Sequence, residues 1–131
     1  MPRQNVSSGT TWESLAGYSR AVRIGNWISV SGTTATDENN QPVGIGDPYT
    51  QTIYALQKIE RALHEAGASL GDVIRTRIYI INPDEWEAVA RAHGEIFGSI
   101  RPANTLLTVK ALVGDYYLVE IEADALLQGS S

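Results

Sequence analysis

The segment Tyr117 to Leu127 alternates residue by residue, and no other stretch constrains the fold as tightly. Tyr117, Val119, Ile121, Ala123 and Ala125 fall on one side, with Leu118, Glu120, Glu122, Asp124 and Leu126 on the other. A period of two is that of a strand with one buried face; a helix cannot keep such residues apart. A sheet built on this strand must cover its apolar side with a second layer. In 131 residues there is room for one such core, so residues 1–131 are expected to form a single domain.

Two segments have the period of the covering layer. Asp47 and Pro48 suit the cap and first position of a helix, because Asp accepts an orphan N–H and Pro has none to offer. The helix that follows places Ile53, Leu56, Ile59 or Glu60, Leu63 and Ala66 near one face, and Gly67 stops it. A second helix is expected after Asn82 and Pro83, with Glu85 placed for a capping-box-like arrangement. Its stripe is Trp86, Val89, Ala90, His93, Ile96 and Phe97, ended by Gly98.

The rest reads as strands and turns. Residues 18–24 and 27–32 form a hairpin about Gly25 and Asn26, while Thr34 to Gly46 is a loop or a weak strand pair. Asp72 to Ile81 is a strand with Ile74, Ile78 and Ile80 toward the core and Arg75, Arg77 and Tyr79 away from it. Thr105 to Leu112 supplies the penultimate strand, and residues 1–11 read as a loose N-terminal segment. The predicted class is α+β: a sandwich of a mainly antiparallel or mixed sheet with two helices packed on one face. Apolar residues also lie on the second side of the last strands, so oligomerisation is expected to cover that face.

Composition excludes several functions. The formal charge is −5 and no five basic residues run together, which argues against nucleic acid as a partner. There is no cysteine, hence no disulfide and no thiolate chemistry. No apolar stretch approaches the roughly 20 residues of a membrane span, so no membrane association and a cytoplasmic location are the default expectations. Two histidines without HxH or HExxH spacing specify no metal site, and no motif calls for a cofactor.

The candidate chemistry lies in three places. Glu120, Glu122 and Asp124 share one strand face, where three acids repel unless they meet cations or solvent. They form an ionic network with Arg75, Arg77 or Lys110, or one of them is a catalytic carboxylate; the pattern alone selects none. His93, on an apolar helix face, is a packed imidazole or a ligand-orienting group. Ser31 and Gly32 end a strand and either complete a turn or offer N–H groups to an anion, with Tyr18 as a wall across the hairpin.

Several segments together resemble the Rid family, also called YjgF or reactive-intermediate deaminase proteins. They are Tyr18 followed by GNWISVSG, then AGASLGDVIRTRIYI, the helix ending in IFG, and RPANT with VEIEADA. The resemblance implies a chorismate-mutase-like fold and a homotrimer with small-molecule clefts between neighbouring subunits. It implies hydrolysis of small imines or enamines, such as 2-iminopropanoate, with release of ammonia. In that family an arginine of a PAR-S/T motif anchors the substrate carboxylate and a glutamate of the closing motif handles water; ribonuclease activity is attached to some members, which the acidic composition here disfavours.

Carried over residue by residue, Glu120 takes the catalytic position, and Tyr18, Ser31, Gly32 and Thr105 line the cleft. Asn104 stands where the arginine is expected, and Ala90 and His93 stand where an asparagine and a tyrosine are common. An Asn has neither the charge nor the fork of a guanidinium, a loss of about 2–5 kcal/mol toward an anion. Arg101 and His93 are the candidates to compensate. The expected activity is therefore a deaminase whose range is shifted from 2-imino acids, or a sensor that binds a small molecule in the same cleft.

Overall fold

The computed structural model describes residues 2–129. Its longest helix, α2 (Pro48–Glu65), starts where the local chemistry directs: Asp47 Oδ1 accepts from the Thr50 amide at 3.2 Å, and Pro48 occupies the first turn. Gly67 ends it in the left-handed region, with φ of 88°. Leu56, Ile59 and Leu63 are buried on one face, against Ile28 and Val30 and against Ile121 and Ala123. Each such aliphatic side chain contributes about 1.5–3 kcal/mol when fully buried.

Among the described residues the sheet has six strands: β1 (Arg3–Val6), β2 (Ala21–Ile24), β3 (Trp27–Thr33), β4 (Val73–Ile80), β5 (Ala103–Thr108) and β6 (Val119–Leu126). Their order is β1-β2-β3-β6-β4-β5, so the alternating strand β6 is central. Every pairing is antiparallel except β4 with β5, which is parallel. α2 and α3 (Trp86–Phe97) cover one face, and a short helix α1 (Thr11–Ala16) precedes β2. The α+β class holds, with three α-helices rather than two among the described residues.

Several expectations need correction. Residues 3–6, expected to be loose, form edge strand β1, paired with β2 from Arg3 opposite Ile24 to Val6 opposite Ala21. A register shift between Val73 and Arg75 turns Ile74 outward, where it is 42% exposed, and Thr76 joins Ile78 and Ile80 on the core face. Glu85 completes no capping box: Asn82 Oδ1 accepts from the Asp84 amide at 3.0 Å and a 3-10 turn, Pro83–Glu85, leads into α3. Val89, Ala92 and Phe97 are the buried residues of α3, while Trp86 is exposed. β5 stops at Thr108, so Val109 to Leu112 are not in the sheet.

The second sheet face carries Trp27, Ser29, Arg77, Tyr79, Leu107, Glu122, Asp124 and Leu126. Register fixes this, because Trp27 pairs with Leu126, Arg77 with Glu122 and Tyr79 with Leu107. Trp27, Leu107 and Leu126 are each at least 40% exposed there. Among the described residues, no helix is long and apolar enough to cross a membrane.

Candidate functional site

The three acids of β6 do not share a fate. Arg77 reaches Glu122 at 3.5 Å and Asp124 at 3.2 Å. Tyr79 donates its hydroxyl to Glu122 at 2.8 Å, and Ser29 donates to Asp124 at 3.0 Å. These two acids form the ionic network that the alternation allows. Glu120, also on this face but nearer the end of the sheet, takes no part: among the described residues its carboxylate has no ion pair and no side-chain hydrogen bond. Burial raises its pKa, Arg20 pulls it back and Glu122 raises it further, for a net upward shift.

Glu120 lines a cavity of about 710 Å³, within the usual range for small-molecule sites. The carboxylate overlies Gly32, where a Cβ would overlap Oε2. Tyr18 forms another part of the wall, 39% exposed, and the Arg20 guanidinium carbon is 5.9 Å from its ring centroid. Arg20 is only 7% exposed and donates through Nη2 to the Gly32 carbonyl at 2.6 Å. Lys58, from α2, donates to the Thr34 carbonyl at 2.8 Å and lines the same cavity. Burial and the nearby cations Arg20 and Arg61, against Asp37, lower the Lys58 pKa to about 8. Trp12, Ile45, Val113 and Tyr116, all exposed, rim the opening with apolar surface.

Ser31 lies beside the cavity but is committed elsewhere. Its amide donates to the Arg20 carbonyl at 3.0 Å and its hydroxyl to the Ser19 carbonyl at 2.6 Å. Of the Ser31 and Gly32 N–H groups expected to greet an anion, that of Ser31 is spent on the hairpin.

Asn104 and His93 lie on the helix-covered side of the sheet, away from Glu120. Asn104 pairs in register with Thr76, whose neighbour on β6 is Ala123 of the core face. Asn104 Nδ2 donates to Thr76 Oγ1 at 2.9 Å, and the same hydroxyl lies 2.9 Å from His93 Nε2. One hydroxyl accepts from the amide and also bonds the ring, in a direction set by the imidazole tautomer. His93 also packs on Phe97, ring centroids 4.7 Å apart, and burial lowers its pKa, so the imidazole is neutral at pH 7. This network holds no cation. Arg101, with φ of 58°, donates through Nε to the Gly98 carbonyl at 3.0 Å and so closes α3. Thr105, opposite Arg77, is on the exposed sheet face.

A single chain thus gathers Tyr18, Gly32 and Glu120, and separately His93 and Asn104. The cations that line the cavity with Glu120 are Arg20, which acts on its carboxylate, and Lys58, neither expected from the sequence. One signal was available: Tyr18 and Arg20 are two apart at the entry to a strand and share a side. Nothing along the chain brings Lys58 to them.

The family model described as Endoribonuclease L-PSP matches residues 9–127. The 3-aminoacrylate deaminase RutC of Acinetobacter baylyi is 34% identical over 125 residues, 95% of this chain and 98% of that protein. An uncharacterised protein of Streptomyces coelicolor is 40% identical over 122 residues, covering 93% and 90%. The crystal structure of a Mycobacterium tuberculosis member of the YjgF/YER057c/UK114 family superposes with a TM-score of 0.88 at 47% identity, over 96% of this chain and all of that one (100%). Fold and cavity therefore define an α+β protein of this family's architecture. The chain belongs to the YjgF/Rid family.

Proposed function

We propose that the protein hydrolyses small imine or enamine metabolites to carbonyl compounds with release of ammonia, with a range shifted from 2-imino acids. The observation that carries this reading is Glu120: a half-buried carboxylate of raised pKa, bonded to no side chain among the described residues, in a cavity of small-molecule size. A general base needs that freedom, because its lone pairs must be available to water. The kinship with a relative named 3-aminoacrylate deaminase points to the same chemistry.

The steps balance without a further reactant. Water adds through oxygen to the carbon of a protonated imine while Glu120 takes one of its protons, and the C=N electron pair moves to nitrogen. Glu120 then returns that proton to nitrogen. The C–N bond breaks, ammonia leaves with the pair, and Glu120 accepts the hydroxyl proton as the carbonyl forms. The proton that the imine brought leaves last. An enamine enters the sequence after protonation at carbon.

Asn104 and His93 join this site in a homotrimer whose clefts lie between neighbouring subunits. The apolar rim of the cavity and the exposed Trp27, Leu107 and Leu126 are the surfaces such an assembly covers. Asn104, tied to Thr76, presents an amide rather than a charge to that cleft. The same neutral contact favours a second reading, a sensor that binds its ligand without turning it over.

Ammonia and carbonyl product measured with the purified protein over 2-iminopropanoate and a panel of neutral and cyclic imines separate the two. Turnover of at least one imine is expected; stoichiometric binding with no turnover would leave the sensor reading in place.

A further inference from the structure

Arg20 and Lys58 both line the cavity, and Arg20 is close enough to lower the Lys58 pKa. Among the described residues, neither forms an ion pair with a carboxylate. The acids nearby are committed or distant. Glu13, which attracts Arg20, accepts from Ser7, from Ser8 by both amide and hydroxyl, and from Thr10. Asp37, which attracts Lys58, accepts from the amides of Asn39 and Gln41 at 2.9 Å each. Asp115 lines the cavity from an exposed turn, and Glu120 shares it without touching either cation.

Holding two cations together in a partly buried place is unfavourable, and a chain with no use for it would relieve it with a local acid. Here both are instead pinned by carbonyls of the same strand end, Arg20 by Gly32 and Lys58 by Thr34. Each tether uses one donor and leaves the others of a guanidinium and an ammonium for a ligand. Among the described residues Arg20 Nε has no hydrogen-bond partner, although the residue is more than nine-tenths buried. That nitrogen is closed off from solvent, so an anion in the cavity meets the guanidinium's unpaired charge and its remaining Nη donors.

We propose that Arg20 and Lys58 form an anion-binding subsite in the Glu120 cavity, and that it takes the carboxylate of a small oxo- or imino-acid. It rests on this cavity being the ligand site proposed above. Gly32 sets the geometry, with its α-carbon under the Glu120 carboxylate and its carbonyl on Arg20. The ligand's charged end and its reacting carbon are then recognised by one protomer on either side of one residue. The shift in range lies in where the anion sits, and the ligand still carries one.

The test is a chemical-shift titration of the full-length protein at pH 7 and low salt with acetoacetate and its neutral counterpart acetoacetamide. Wild type is expected to bind acetoacetate about tenfold or more tighter, as for a charge-assisted contact. Arg20→Gln and Lys58→Gln should each bring the two affinities close to equal, while Lys110→Gln, outside the cavity lining, keeps the preference. Lys58→Gln leaves the Arg20 tether intact and decides the matter even if Arg20→Gln fails to fold. Equal affinities in wild type, or a preference untouched by Lys58→Gln, would overturn the subsite. If the preference holds and no imine is turned over, the subsite stands and the deaminase reading falls; turnover that needs Glu120, with equal affinities, gives the reverse.

Discussion

The Glu120 carboxylate rests over the α-carbon of Gly32 so closely that a Cβ at position 32 would overlap Oε2. The site therefore depends on a missing methyl group. Gly32→Ala is expected to push the carboxylate off its position and cut imine turnover about tenfold or more, since small displacements of a reacting group are costly. The melting temperature should change far less, because the atom that must move is the end of a flexible side chain. Retained turnover in a folded Gly32→Ala protein would detach Glu120's position from the chemistry.

The pH dependence follows from the same carboxylate. Burial raises the Glu120 pKa above its ordinary 4.5 and Arg20 opposes that rise. A base works only when ionised, so activity should fall as pH drops through the raised value, on an acid limb above that of an exposed carboxylate. Removing the opposing charge with Arg20→Gln moves the limb to higher pH. A limb that stays in place in that variant would contradict the coupling.

Lys58 makes an opposite contribution to folding. Its pKa is lowered from 10.5 to about 8 by burial and by Arg20 and Arg61, with Asp37 acting against them. Between those two values the unfolded chain keeps the proton and the folded chain has released it, so this group's contribution to stability rises with pH across the window and is level outside it. Lys58→Gln should lack that rise. Urea unfolding of the two proteins at pH 7.5 and near pH 10, values spanning roughly the titration window, reads the difference.

The network on the other face predicts a stability effect. Thr76 is fully buried and its hydroxyl serves both Asn104 and His93. Thr76→Val keeps the shape and strands two polar partners, at a cost of about 1–3 kcal/mol. Denaturant unfolding measures it, and the double variant Thr76→Val with Asn104→Leu should recover part of the loss.

Much of the fold was legible because its signals are local. Asp47 and Pro48 announce α2, Gly25 and Asn26 the hairpin, and the alternation of β6 its place as a half-buried strand. What was not legible depends on pairing across the chain. β1 exists because Arg3 to Val6 meet Ile24 to Ala21, and Ile74 turns outward because β4 slips against β6. Glu120 was named, yet only the fold separates it from Glu122 and Asp124, which Arg77 holds. The parallel register of β5 on β4 sends Asn104 to Thr76, away from the acid it was expected to accompany. Arg20 and Lys58 lie 38 positions apart in sequence and meet only around the end of β3.

The central claim is that Glu120 handles the water that releases ammonia, and one comparison tests it most directly. Ammonia release is followed for wild type and Glu120→Gln on the imine that wild type turns over best, with binding of the carbonyl product measured alongside. The amide keeps the shape and removes the base, so kcat should fall by about 100-fold or more while product affinity changes little. Equal rates in the two proteins would contradict the account.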